Sequence, residues 1–136
     1  MSYKFTLENQ RVYYEDTDAI GIAYHASYLK FMDRARCECL WDMGIYFEGL
    51  SKEGCCFVVS DITIKYLKPM RLQETINISC DVIEVGNTFS VFNQKICCSK
   101  KSGYVYSTAE VKVVSVDERG KPALLPEAFR KRVVDS

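Results

Sequence analysis

Residues Tyr13 to Tyr28, YYEDTDAIGIAYHASY, hold most of the groups in this chain that could do chemistry. Two aspartates, Asp16 and Asp18, precede Gly21, and His25, the one histidine of the chain, follows. A Ser-His-Asp or Cys-His arrangement must therefore be built on His25. No G-x-S-x-G elbow is present. Ser27 is better placed to cap a helix, and Cys37 lies roughly two to three helical turns from His25, beyond hydrogen-bond reach. Asp18 is the stronger candidate. It stands just ahead of a loop leading into a helix N-terminus, where unpaired backbone N–H groups and the helix dipole favour developing negative charge. One such donor on a tetrahedral oxyanion lowers a barrier by about 3–4 kcal/mol. A carboxylate beside it can activate water or attack the carbonyl itself.

This small set suits a thioester. An alkyl thiol leaves with a pKa of about 8.5 and needs little protonation, whereas an amine needs a dedicated general acid. The neighbouring groups have blander uses. Asp16 reads as a loop or cap ligand. Tyr13, Tyr14, Tyr24 and Tyr28 read as amphipathic packing around the loop. The D-x-D of residues 16 and 18 lacks the apolar strand and alternating βα units of dehalogenase-type phosphatases. The Asp-Thr pair lacks the glycine of aspartic proteases.

The elements that must position this stretch are legible on either side of it. Residues 5–15 read as a strand. Phe5 and Leu7 share one alternation and Val12 and Tyr14 the other, which predicts a bulge or a late strand start. Gly21 is free to take a positive φ. From Ser27 to Met43 the residues Tyr28, Phe31, Met32, Ala35, Cys39 and Met43 recur at helical spacing, with Lys30, Asp33, Arg34 and Glu38 opposite. Ser27 is the expected N-cap and Gly44 the expected C′ residue. Leu29, Leu40 and Trp41 widen the apolar surface, so the helix needs cover on more than one side. Residues 46–54 read as loop with one more turn. Four alternating segments follow: residues 58–66, with Ser60 out of phase and Pro69 as terminator; residues 75–82; residues 89–98 after a Gly86-Asn87 turn; and residues 109–113. Residues 126–132 read as a short terminal helix. One strand, a long apolar helix and hairpin-linked antiparallel strands predict a single α+β domain over residues 1–136, with the sheet wrapped around the helix and a second copy completing its cover.

Bulk composition narrows the function classes. The 136 residues suffice for one domain with a core, and the 48% hydrophobic content argues against disorder. Lys plus Arg equals Asp plus Glu at 18 each, so no nucleic-acid footprint is present. No apolar run could span a bilayer, and MSYKFTLENQ is too polar for a signal peptide, so the expected location is the cytoplasm. Seven cysteines, an odd number, then read as reduced thiols. Their spacing includes no C-x-x-C, and no metal is expected.

The string RVYYEDTDAIGIAYHASYLKFMDRAR resembles the start of the YbgC-like acyl-CoA thioesterases, in the 4-hydroxybenzoyl-CoA thioesterase group of hotdog-fold proteins. The similarity continues through FVVSDITIKYLKPMRL, GNTFSVFNQKI and AEVKVVSVD, and so covers Arg11 to Asp117. The resemblance implies a five-stranded antiparallel sheet around one long helix. It implies homodimers paired edge to edge, or dimers of dimers, with active sites at the interface. By match of motif, Asp18 is the catalytic carboxylate, as nucleophile or general base, and the backbone N–H at His25 polarises the thioester carbonyl, with the imidazole assisting. Gly21, Tyr24, Tyr28, Val58, Val59 and Ser60 are the implied substrate-binding residues. No cofactor is implied, since coenzyme A belongs to the substrate. Ile20 stands where relatives often have glycine, which stiffens or narrows the loop. Asp33 replaces a commoner glutamate and reads as surface variation. Lys65, Lys68 and Arg71 read as solvated charges, or else as contacts for CoA phosphates. The competing function is a non-catalytic module binding acyl thioesters or an acyl carrier protein; a dehydratase would place its histidine in a different motif.

Overall fold

Period-two alternation builds five strands in this chain, and three- and four-residue apolar spacing builds its long helix. The structure is a computed structural model that describes residues 3–135. In chain order it contains β1 (Tyr3–Arg11), a 3-10 turn (Tyr14–Asp16), α1 (His25–Asp42), α2 (Phe47–Lys52), β2 (Cys55–Tyr66), β3 (Thr75–Val85), β4 (Phe89–Cys98), β5 (Val105–Asp117) and α3 (Glu127–Val134). The strands form one antiparallel sheet in the order β1-β3-β4-β5-β2. No helix among the described residues is long and apolar enough to cross a membrane.

The phase change in the first strand is a bulge. The β1–β3 register shifts between Leu7 and Gln10, with Asn9 at φ +56°. The strand ends at Arg11, earlier than the alternation predicts, because the Asp16 carboxylate accepts the Tyr13 N–H at 2.9 Å and winds the chain into the 3-10 turn. Tyr13 and Tyr14 stand out from this turn, 61% and 76% exposed, and so do not pack around the loop as expected.

Helix α1 buries Tyr28, Phe31, Met32, Ala35 and Cys39, with Met43 buried just beyond it, while Lys30, Asp33, Arg34 and Glu38 face solvent. Each large side chain so buried contributes about 1.5–3 kcal/mol. The N-cap differs from expectation. Tyr24 holds that position in extended backbone without a side-chain cap, and Ser27 lies buried in the first turn, its hydroxyl donating to the Asp16 carbonyl at 2.8 Å. Ser27 thus ties the helix to the preceding turn. At the other end the helix stops as predicted. Gly44, at φ +81°, donates to Trp41 O and Ile45 donates to Leu40 O, both at 2.9 Å, the paired bonds of a Schellman motif.

The helix packs mainly on β3, β1 and β4. Strand β2 lies at the opposite edge, and its Val59, Ile62 and Tyr66 are 44%, 41% and 45% exposed. Ser60 is out of phase because the β2–β5 register shifts between Val59 and Asp61. This shift turns Val59, opposite Val113, and Ile62, opposite Val111, to the same face.

Candidate active site

The segment between the 3-10 turn and α1 is a closed loop. An antiparallel bridge joins Thr17 to Ala23, and Asp18 N–H donates to Ile22 O at 2.9 Å. Inside the loop, Asp18 Oδ1 accepts two backbone N–H groups, from Ile20 at 3.0 Å and Ile22 at 3.2 Å. Gly21 makes the reversal at φ +78° and donates to Asp18 O at 3.1 Å. A side chain there would have room, since an added Cβ would lie 3.9 Å from Leu72 Cβ; only the left-handed backbone demands glycine.

The loop is stitched to the segment after β2. Ala23 N–H donates to Met70 O at 2.8 Å, Leu72 N–H donates to Gly21 O at 2.9 Å, and Ile22 bridges Arg71. Asp18 is therefore held by one oxygen in a rigid turn, while its other oxygen, Oδ2, has no protein partner among the described residues and the side chain faces solvent. One oxygen thus orients the carboxylate within the turn, while the other keeps its lone pairs free to accept a proton or a hydrogen bond.

Two residues past the bridge, α1 begins. His25 is its first residue and is exposed. Ser27 N–H turns back to Tyr24 O at 2.9 Å, whereas the N–H groups of His25 and Ala26 precede any intrahelical acceptor. Those two donors, with the positive end of an 18-residue helix behind them, can hold a carbonyl oxygen gathering negative charge. Tyr24 is 40% exposed at the same rim. Tyr28 is different. It is 4% exposed, and its hydroxyl both donates to Lys68 O at 3.0 Å and accepts from Met70 N–H at 3.1 Å. Burial pushes its phenol above the ordinary range, only partly offset by the Met70 N–H. Both hydrogen-bonding directions are used, so Tyr28 holds the loop's anchor strand in place. Its ring stands edge-on to Tyr66 at 5.0 Å, and Tyr66 OH donates to His25 O at 3.2 Å. The end of β2 is thereby fixed against the start of α1.

Asp16 is structural, as its position implied. It is 2% exposed, and Oδ1 has no hydrogen-bond partner among the described residues. Val58, Val59 and Ser60 lie away from this cluster, on the far half of β2. Val58 and Val59 line a cavity of about 140 Å³ between α1, β2, β4, β5 and α3. Ser60 points elsewhere, donating to Asp61 Oδ2 at 2.9 Å. Lys65, Lys68 and Arg71 are exposed, with the Lys68 ammonium 4.2 Å from the Tyr104 ring. Asp33, exposed as expected, pairs with Arg36 at 3.1 Å. The buried Arg36 escaped the sequence reading. Its Nη1 donates to Gln94 Oε1 at 2.8 Å, and Gln94 donates to Met32 O at 2.9 Å, locking α1 to β4 beside the cavity. Its position directly after Ala35, on the buried stripe, was the available signal. No cluster of three or more His, Cys, Asp or Glu side chains among the described residues is arranged to hold a metal ion.

Residues 12–133 match the family model of the thioesterase-like superfamily. The chain belongs to that family. It is 40% identical over 120 residues to the acyl-CoA thioester hydrolase YbgC of Escherichia coli O157:H7, covering 88% of each chain. It is 39% identical over 124 residues to the acyl-CoA thioesterase YbgC of Haemophilus influenzae, covering 90% of this chain and 87% of the other. The solved structure described as a probable thioesterase from Bartonella henselae superposes with a TM-score of 0.81 at 31% identity, covering 93% of this chain and all of that one. Slr0204, a 1,4-dihydroxy-2-naphthoyl-CoA thioesterase from Synechocystis, shares the fold, with a TM-score of 0.86 at 16% identity over 99% of this chain and 97% of the other. The fold is accordingly the hotdog fold, and the chain is a YbgC-like thioester hydrolase of that family.

Proposed function

We propose that this protein hydrolyses small acyl- or aryl-CoA thioesters at Asp18. The observation that carries the reading is the free Oδ2 of a carboxylate whose Oδ1 is pinned by two N–H groups, close in the chain to the unpaired N–H groups that open α1. The thioester carbonyl oxygen is held by the N–H groups of His25 and Ala26. Asp18 either takes a proton from water as the water oxygen bonds to the carbonyl carbon, or bonds to that carbon itself to form an anhydride that water then opens. In both routes the C–S bond breaks, coenzyme A leaves as a thiol carrying one proton of water, and the acyl group leaves as a carboxylic acid. The His25 imidazole, exposed at the same helix start, assists proton transfer. The unpaired state of all seven thiols favours a reducing compartment, the cytoplasm.

The working unit is a homodimer paired along β2. That strand is an edge with a six-residue run, Asp61–Tyr66, free of register shifts, and it exposes Ile62 and Tyr66. The other edge, β1, is interrupted by its bulge. An antiparallel pair with Thr63 on the two-fold axis sets Asp61 opposite Lys65 of the partner subunit twice, on the outer face. The decisive experiment is thioester loss across a panel from acetyl- to palmitoyl-CoA, with benzoyl-CoA included, on protein sized by light scattering. Turnover of the shorter members by a dimer or larger is expected. Absence of turnover together with acyl-carrier-protein binding would instead make the protein a binding module.

A further inference from the structure

Asp16 and Ser27 are buried, at 2% and 0% exposed, and neither belongs to the reacting groups. They stand on either side of those groups. Asp16 comes two residues before Asp18, and Ser27 follows His25 and Ala26, whose N–H groups open α1. Residues 17–26 run between them and include the Gly21 reversal and the exposed Asp18, Ala19 and Ile20. The Ser27 hydroxyl closes this excursion from the interior. It donates to the Asp16 carbonyl at 2.8 Å, across eleven positions of sequence.

Both ends of that bond are themselves fixed. Asp16 N–H donates to Tyr13 O at 3.0 Å, and Asp16 Oδ2 accepts Tyr13 N–H at 2.9 Å, so backbone and side chain lock onto one residue. Thr17 continues the same unit toward Asp18, its N–H and hydroxyl both donating to Tyr14 O, at 3.1 and 2.8 Å. On the other side, Ser27 N–H donates to Tyr24 O at 2.9 Å, and Tyr28 is anchored at Lys68 and Met70. The bond therefore joins two rigid units, one carrying the carboxylate and the other the oxyanion donors. Attack on a carbonyl needs reacting atoms about 3–3.5 Å apart, and a misplacement of about 1 Å can cost about a hundredfold in rate. We infer that Ser27, through its bond to the Asp16 carbonyl, is a positioning residue that sets the separation between the Asp18 carboxylate and the N–H groups of His25 and Ala26. Asp16 serves the same end by holding its own carbonyl in place against Tyr13. This rests on the thioesterase reading and adds to it two residues that act without touching substrate. It also gives the two aspartates different requirements. Asp18 needs a carboxylate, whereas Asp16 needs one acceptor oxygen, its Oδ1 having no partner among the described residues.

Ser27→Ala tests the inference, with Ser115→Ala as the comparison. Ser115 is also 0% exposed, and its hydroxyl also donates to a carbonyl, Leu124 O at 3.3 Å. It lies toward the end of β5 away from Ser107, which pairs with Tyr66 beside His25. Butyryl-CoA hydrolysis is measured well below the unfolding transition, with circular dichroism and thermal unfolding on the same samples. Both variants are expected to lower Tm. Ser27→Ala is expected to lower kcat about ten- to a hundredfold with KM within about twofold, while Ser115→Ala keeps both constants. Asp16→Asn retains an oxygen for Tyr13 N–H and is expected to keep kcat within about threefold, whereas Asp16→Ala falls with Ser27→Ala. Wild-type kcat in folded Ser27→Ala would overturn the inference. So would a loss in Asp16→Asn as large as that in Asp18→Asn, which would make Asp16 an acid or base. Should Ser27→Ala fail to fold, Ser27→Cys, whose S–H donates weakly, replaces it: lowered kcat at unchanged KM supports the positioning role, and wild-type kcat overturns it. Failure of the thioesterase reading is distinguishable, because then the wild-type protein itself turns over no acyl-CoA and the inference falls with it.

Discussion

Replacing Asp18 by Asn separates the two jobs of its carboxylate. Oδ1 accepts N–H groups of Ile20 at 3.0 Å and Ile22 at 3.2 Å, and an amide oxygen can accept the same pair. What changes at that oxygen is charge: a charge-assisted bond is worth roughly twice a neutral one, so an exposed pair loses about 1 kcal/mol in total. In a domain of this size that corresponds to a Tm decrease of about 4 °C. At the other position the change is categorical. The free lone pairs of Oδ2 become an NH2 group, which can neither accept the water proton nor attack a carbonyl. Loss of a general base costs about 10²–10⁴-fold in rate, or about 3–5 kcal/mol of barrier. Asp18→Ala provides the contrast. It leaves both N–H groups without an acceptor and should lower Tm further, while adding little to the loss of rate. The assay is the decay of thioester absorbance with butyryl-CoA, which avoids interference from the protein's seven thiols, alongside thermal unfolding. Retention of more than about a tenth of wild-type kcat/KM by Asp18→Asn would refute the catalytic role. So would a Tm loss equal to that of Asp18→Ala, which would make the carboxylate a loop ligand only.

Tyr28→Phe removes a hydroxyl bonded to Lys68 O and to the buried Met70 N–H, and is expected to cost about 2 kcal/mol in chemical denaturation, because a buried donor is left unpaired. Gly21→Ala forces an L side chain into φ +78° and should destabilise by about 1–2 kcal/mol, with kcat falling more than KM changes as Asp18 shifts. Lys65→Asp places like charges opposite each other twice across the proposed dimer axis and should weaken the dimer about tenfold by sedimentation; the Asp61→Lys/Lys65→Asp double exchange should restore it. If the double exchange fails to restore association, the register about Thr63 is wrong.

What the sequence disclosed and what it withheld follow from the range of the interactions. Gly44 was legible because a helix that stops on a left-handed residue needs glycine, and the two bonds it completes are local. The reversal at Gly21 was legible for the same reason: the turn closes on itself within five residues, Asp18 to Ile22. Ser27 was misassigned because a serine near a helix start serves equally well as a cap or as a first-turn residue. The choice was made by the Asp16 carbonyl, which the preceding 3-10 turn brings within 2.8 Å. Ser60 announced an irregularity, but which valine it turned inward depended on the register with β5. Arg36 and Gln94 lie 58 positions apart, and nothing in either residue's neighbourhood names the other. The cavity is hidden more deeply still, since five elements contribute to it and no one of them is concave.

The same range of interactions bears on how reactivity and selectivity could vary. The loop that presents Asp18 is fixed to residues 70–72 almost wholly by backbone bonds, which tolerate changes of side chain. The side chains that bond within or beside it are Asp18, Ser27 and Tyr28. The cavity draws on a different part of α1, from Asp33 to Leu40, and on Phe57 to Val59 at the far end of β2. With 18 residues, α1 is about 27 Å long, so the N-terminus that follows the Asp18 loop and the half that walls the cavity are well separated. Substitutions at Cys37, Leu40 or Val59 can then reshape the cavity without touching the turn that holds Asp18.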